Sequence, residues 1–227
     1  MRTSIKCILL FIAITCIGPR IAAQAIFEGK FLFKYEPIIY TLDYDQIEGS
    51  AYLNDTLKRG VVRFPNGDSS EVFMRYNIYE DAIEYTEENR LMIINNPRQI
   101  ANVLIGKTEL IYTHYLYGKS VKEGYLVKLV SGEISLYIKY TIEFEDAESP
   151  LTSYHSATLA QFVYKPSELY ISGDGYLISK FESSKTKLMD LFGAYYKEME
   201  KFKKNKKLKL RKKEDVVVLF EYFNSLQ

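Results

Sequence analysis

Between Glu133 and Phe144 apolar and polar side chains alternate: Ile134, Leu136, Ile138, Tyr140, Ile142 and Phe144 fall on one face, and Glu133, Ser135, Lys139, Thr141 and Glu143 on the other. A period of two marks a half-buried antiparallel strand. At about 3.3 Å per residue this one would run roughly 40 Å, so it is expected to bend or bulge within a strongly twisted sheet or a barrel. Asn66-Gly67, between Val61-Val62-Arg63-Phe64 and Val72-Phe73-Met74-Arg75-Tyr76, predicts a hairpin with positive φ at both central residues. Glu88-Asn89, Gly106-Lys107, Gly118-Lys119, Ser131-Gly132 and Gly173-Asp174-Gly175 punctuate further apolar runs. Connections this short imply antiparallel neighbours. Residues 29–181 therefore read as about ten strands in a meander, loosened from Asp146 to Ala157, where Glu145-Asp146-Ala147-Glu148-Ser149-Pro150 breaks the alternation.

The period changes near Ser183. Leu188, Leu191, Phe192, Tyr195, Tyr196, Met199 and Phe202 recur at three- and four-residue spacing, and Ser183 or Ser184 can cap the start, which predicts an amphipathic helix over 185–204. Val216, Val217, Leu219, Phe220 and Phe223 stripe a second helix, with Glu214 and Asp215 in its first turn, where acidic groups suit the dipole. The fold class expected is α+β: an antiparallel β meander, as a twisted sheet or partly closed barrel, over 26–182, then a C-terminal helical hairpin over 183–227.

Residues 1–25 have a different character. Arg2 and Lys6 open a short basic stretch, Cys7 to Gly18 is apolar, and Ala23-Gln24-Ala25 gives the small-x-small pattern of a secretory signal peptide. The apolar run is too short to span a membrane, which takes about 20 residues. Cleavage is expected between Ala23 and Ile26; a lipoprotein acylated at Cys16 is the alternative, although Ala13-Ile14-Thr15 fits such a site poorly. Both cysteines, Cys7 and Cys16, lie in this segment. A cleaved chain would carry no thiol for a disulfide, a thiolate metal site or a cysteine nucleophile. Exported, periplasmic or extracellular localisation follows, with no transmembrane helix in the mature chain.

Charge is divided unevenly. Residues 26–182 hold 15 basic and 23 acidic groups, net −8, and residues 183–227 hold 12 basic and 6 acidic, net +6. Ten basic residues fall between Lys197 and Lys213. Of these, Lys203, Lys204, Lys206, Lys207, Lys209, Arg211, Lys212 and Lys213 are the candidate partner-binding residues. Such a run attracts phosphates, but export argues against nucleic acid. An envelope component, an unidentified protein or peripheral contact with an anionic membrane surface fits better; neutralisation of the acidic body is the plainer role. The 20 Tyr and 13 Phe, with no Trp, suit half-buried strand surfaces and could also stack on sugars or peptides.

Candidate chemistry is sparse. His114, in the strand-like Ile111-Tyr112-Thr113-His114-Tyr115-Leu116, and His155, in the loosened stretch, have no partner at a metal-ligand spacing such as H-E-x-x-H, and no G-x-S-x-G elbow marks a nucleophile. Asp43-Tyr44-Asp45 and Glu145-Asp146-Ala147-Glu148 do not continue into a calcium loop. No catalytic residue, metal or cofactor is assigned. Gly49-Ser50-Ala51-Tyr52-Leu53-Asn54-Asp55, Arg75-Tyr76-Asn77-Ile78-Tyr79-Glu80-Asp81-Ala82-Ile83-Glu84 and Glu221-Tyr222-Phe223-Asn224-Ser225-Leu226 resemble an uncharacterised secreted β-rich protein family of Bacteroidota. The resemblance implies export and the β-then-α order, and brings no substrate with it. A non-catalytic exported cell-envelope protein, a binding or accessory module, is expected. The alternative is a hydrolase acting on an envelope polymer or glycan, and an outer-membrane barrel is a third reading that the helical C-terminus disfavours.

Overall fold

The computed structural model of the chain describes residues 42–147, 158–172 and 177–227. The leader-like segment, His155, the Gly173-Asp174-Gly175 turn, any strand before residue 42 and most of the loosened stretch lie outside the described residues.

The architecture is α+β: a ten-stranded antiparallel sheet curled into a half-barrel, followed by helices. In chain order the strands are β1 (Lys58–Arg63), β2 (Ser69–Asn77), β3 (Ala82–Glu87), β4 (Arg90–Ile93), β5 (Asn102–Ile105), β6 (Thr108–Tyr117), β7 (Ser120–Val130), β8 (Ser135–Lys139), β9 (Ile142–Glu145), β10 (Gln161–Tyr164), β11 (Glu168–Ser172) and β12 (Ser179–Lys180). The sheet runs β4, β3, β2, β1, β5, β6, β7, β8, β11, β12, and β9 pairs with β10 in a separate ribbon. Two departures from a simple meander follow. The chain crosses from β4 back to the far side of β1, where Val62 pairs with Val103, so two meanders share β1 and β5 as their seam. The long strand expected over 133–144 is two strands in two sheets, broken at Tyr140-Thr141. Its inward face persists across the break: Ile134, Leu136, Ile138 and Ile142 are all buried. Tyr137, on the opposite face, is buried as well.

Turn chemistry accounts for the registers. At Asn66-Gly67 only Gly67 has positive φ (91°). The Gly67 N–H donates to the Phe64 carbonyl and the Phe64 N–H to Asp68, a turn around Pro65-Asn66 closed by a left-handed glycine. Pro65 explains the difference, because its ring locks φ negative at the turn's first central position. Two consecutive left-handed residues occur instead at Glu88 (49°) and Asn89 (62°), joining β3 to β4.

Curling gives the sheet two interiors. The half-barrel encloses Val62, Met74, Tyr76, Ile83, Tyr85, Val103, Leu110, Tyr125, Val127 and Ile138 from seven of its strands. Beyond it, β6 and β7 outrun β5, which pairs only with Thr108 to Leu110. The freed Leu116 N–H donates to the Ile178 carbonyl at 2.8 Å, so β12 returns to β6. Tyr115, Leu126, Tyr137, Tyr170 and Ile178, from β6, β7, β8, β11 and the residue before β12, fill this smaller curl.

Helices close the end. The first expected helix is kinked: α1 (Lys185–Phe192), capped by the Ser184 hydroxyl, ends at Gly193 (φ 49°), and a single 3-10 turn leads into α2 (Tyr196–Lys206). α3 (Lys213–Asn224) folds back. Leu188, Phe192, Met199, Val216, Leu219, Phe220 and Phe223 pack with Val130, Ile134 and Leu136 of the β7–β8 hairpin, where a bulge between Lys128 and Val130 turns the strand end toward the helices. Tyr195, expected inside, is exposed at the kink. Asn224 fastens the other end: its side chain accepts from the Ile134 N–H (3.2 Å) and donates to the Ile134 carbonyl (3.0 Å). No helix among the described residues is long and apolar enough to cross a membrane.

Phe192 lies within 5.9 Å of Phe220 and 5.1 Å of Phe223, centroid to centroid. Phe192→Ala should lower stability by about 3 to 5 kcal/mol and Lys206→Ala by almost nothing, read as shifts in chemical-denaturation midpoint. Equal shifts would mean that the helices are not docked.

Candidate functional site

Three features are candidates: a buried polar network at the β2–β3 hairpin, the basic helical corner, and the recesses in the surface. In the segment 75–84, pleating places Arg75 and Asn77 on one face of β2, with Arg75 opposite Glu84 of β3. Glu84 is fully buried. Its carboxylate accepts from Arg75 Nε at 2.7 Å and from Asn77 Nδ2 at 2.9 Å. The rest of the guanidinium donates to the Tyr52 hydroxyl and the Asp55 carbonyl, each at 2.8 Å.

A second knot forms where the hairpin turns. Asp81, held at φ 50°, accepts from the Tyr76 hydroxyl at 2.6 Å, from Lys139 Nζ at 2.7 Å and from the Tyr125 N–H at 3.3 Å. Lys139 also donates to the Tyr125 carbonyl at 3.1 Å. Burial pulls the Lys139 ammonium below its usual range, and Asp81 opposes that shift. Gly124 makes the approach possible: a Cβ there would stand 2.2 Å from Asp81 Oδ2 and 3.0 Å from Lys139 Nζ. Both carboxylates accept hydrogen bonds from the protein's own donors. Asp81 joins strands that the sheet order keeps apart, and Glu84 ties β3 to its neighbour β2.

Tyrosines surround both knots. Burial pushes the Tyr52 and Tyr115 hydroxyls up to about 12, with Glu84 and Asp81 respectively adding to the shift. Tyr76 and Tyr125 rise further for the same reason, with Asp81 contributing to each. The Tyr125 hydroxyl is buried without a hydrogen-bond partner among the described residues, its ring set between Tyr76 and Tyr112.

The eight candidate basic residues gather where α2 meets α3. Lys203 pairs with Glu200 and Lys213 with Glu214. Lys204, Lys206, Lys207, Lys209, Arg211 and Lys212 are exposed and make no ion pair among the described residues. The corner is nevertheless well built. Lys207 is left-handed (φ 56°), its N–H donating to Lys204 and the Leu208 N–H to Lys203, as in a Schellman motif. The Lys209 N–H donates to the Asp215 carboxylate at 2.7 Å. Leu208 and Leu210 turn inward to the helical core, leaving the charges outside. A groove of about 450 Å³ adjoins the corner, lined by Lys197, Lys201, Asn205 and the stacked rings of Phe202 and Tyr222, 3.8 Å apart.

Other candidates are structural. His114 is exposed on β6 and pairs with Glu123, which also holds Arg98. Asp43 caps a 3-10 turn by accepting from the Asp45 N–H, and Glu145 pairs with Lys165. No cluster of three or more His, Cys, Asp or Glu suited to a metal occurs among the described residues. Sequence reasoning missed the two knots; the signal was available in the run of charged and amide residues punctuating the apolar positions of 75–84. Comparison with known protein families, curated proteins and solved structures returns no match. What the surface can do rests on its own geometry.

Gly124→Ala should force Asp81 off Lys139 and destabilise by about 1 to 3 kcal/mol, the scale of overpacking a filled site, measured by denaturant unfolding. Alkali should act through the tyrosines. Unfolded, they ionise near pH 10; folded, Tyr52 and Tyr115 hold their protons to about 12. Their contribution is complete below pH 10 and is lost as pH rises from about 10 to 12. Denaturation midpoints should fall steeply across that window, with the phenolate absorbance of the buried tyrosines appearing as the chain unfolds.

Proposed function

We propose that the chain is an exported, non-catalytic binding module of the cell envelope, engaging anionic head groups at a membrane surface through the α2–α3 corner. The observation that carries this is six exposed cations with no acidic partner among the described residues, held on a docked corner. Lys207 sharpens it. A left-handed C-terminal position favours glycine, and a side chain there costs about 1 kcal/mol; here a charge occupies it.

The chemistry favours a diffuse surface over a defined acidic pocket. Five of the six are lysines, which act as point charges; recognition of one planar carboxylate would favour arginine forks. Leu208 and Leu210 pack, partly buried, against the helical core, so charge and not insertion carries the contact. Attraction of about 1 kcal/mol per cation near an anionic leaflet gives peripheral, reversible binding. Export is supported by the basic-then-apolar start, the small-residue site before Ile26 and the resemblance to secreted proteins.

The chain expressed from Met1 should be recovered outside the cytoplasm with an intact mass that begins between Ala23 and Ile26. That protein should co-sediment with phosphatidylglycerol-containing vesicles at low salt, release at about 0.5 M salt, and ignore phosphatidylcholine. The Lys204→Glu/Lys206→Glu/Lys207→Glu variant should lose sedimentation with its unfolding midpoint unchanged. Equal binding to both vesicle types, or full binding by the variant, would overturn the membrane-surface reading.

A further inference from the structure

A second recess lies in the sheet, where the segment before β1 passes the turn between β5 and β6. It encloses about 310 Å³, near the lower end of small-molecule sites, and is lined by Leu53, Asn54, Lys58, Arg75, Tyr76, Ile105, Gly106, Lys107, Thr108 and Leu110. Tyr76, Ile105 and Leu110 form a dry base, each less than a tenth exposed. Lys58 and Lys107, both exposed, stand at the rim. Neither makes an ion pair among the described residues, and the side chains of Asn54 and Thr108 have no hydrogen-bond partner there.

We propose that this cleft is a binding site for a small carboxylate with a short aliphatic body, the carboxylate between Lys58 and Lys107 and the chain against Leu53, Ile105 and Tyr76.

Sign of charge decides the head group. Arg75 also faces the cleft, but its donors are committed to Glu84, Tyr52 and Asp55, so its charge is answered from within. Lys58 and Lys107 are two like charges lining one opening, and no carboxylate side chain among the described residues lines it with them. An anion relieves their repulsion; a cation adds to it. Asn54 and Thr108 supply neutral donors suited to the same oxygens.

Shape decides the body. Gly106 offers no side chain, and the aliphatic stem of Lys58 lies 3.8 Å from where a Cβ would stand, so the lysine's methylenes extend the apolar wall up to its charge. The walls do not have to form on binding. Tyr76 is pinned through its hydroxyl to Asp81 and Arg75 through Glu84, and a preformed cleft spares the ligand the cost of ordering it. The buried knots thus gain a second consequence: they hold a binding wall in place. The proposal is independent of the helical corner, which contributes no lining residue.

The test is titration of the full mature protein with hexanoate, hexanamide and hexylammonium, followed by methyl NMR. Hexanoate should give saturable shifts at the Leu53, Ile105 and Leu110 methyls, at least tenfold tighter than hexanamide, with none from hexylammonium. Lys58→Glu/Lys107→Glu, two exposed substitutions, should weaken hexanoate at least tenfold while Lys206→Glu leaves it unchanged. Shifts of equal size from hexylammonium, no saturable shift with hexanoate, or undiminished binding by the double variant would overturn the assignment.

Discussion

Asp81, a carboxylate still about 30% exposed, is met by three donors that no single sheet neighbour could supply. Tyr76 is on β2, Tyr125 on β7 and Lys139 on β8, and β1, β5 and β6 lie between the first and the others in the sheet. For these groups to reach one oxygen, the sheet has to curl. Lys139, only 13% exposed, would be costly to leave unpaired, so the curled form is the one in which its charge is answered. Gly124 is the complementary requirement, since any side chain there would occupy the space of Asp81. The aromatic interior follows from the same curvature: the Tyr76 and Tyr125 rings meet at 5.7 Å because their strands have been brought face to face.

Local rules are what the sequence makes legible. Alternation identified the inward face of 133–144, and the three- and four-residue spacing after Ser183 found the helices, because both patterns depend on neighbours a few positions away. The chain reversal between β4 and β5 left no such trace: pairing of β1 with β5 joins residues some forty positions apart, and alternation looks the same whichever neighbour a strand takes. The break at Tyr140-Thr141 was hidden for a related reason. Ile138 and Ile142 keep one periodicity because both still face the same core, although their strands belong to different sheets. Gly193 was visible as a residue but not as a kink, since glycine inside a helical stripe is often tolerated.

Functional residues divide along the same line. The basic run was legible as composition, and the structure adds that six of its charges are exposed and unpaired among the described residues, a property of three-dimensional neighbours. Lys107 stood in plain view within a turn dipeptide, and Lys58 at the start of a strand. Nothing in their spacing links them; only the pairing of β1 with β5 and of β5 with β6 brings them to one opening. A cleft assembled from separate strands has no sequence motif, whereas a charged corner made from one continuous segment does.

The two surfaces differ in what holds them, and that difference bears on how each can work. The helical corner depends on apolar contact: Met199, Leu219 and Phe220 bury the hairpin against β7 and β8, and Asn224 stitches its last residue to the β7–β8 loop, where a Cβ at Gly132 would collide with the amide. Its charges sit on long side chains in water, suited to attraction that is additive, screened by salt and indifferent to the identity of the head group. The cleft depends instead on the buried polar knots, whose hydrogen bonds fix Arg75 and Tyr76 to single positions. Directional contacts of that kind resist small displacements, which is the condition for telling one small anion from another. As proposed, the chain attaches through the helical corner by charge alone and selects at the cleft by shape and charge together.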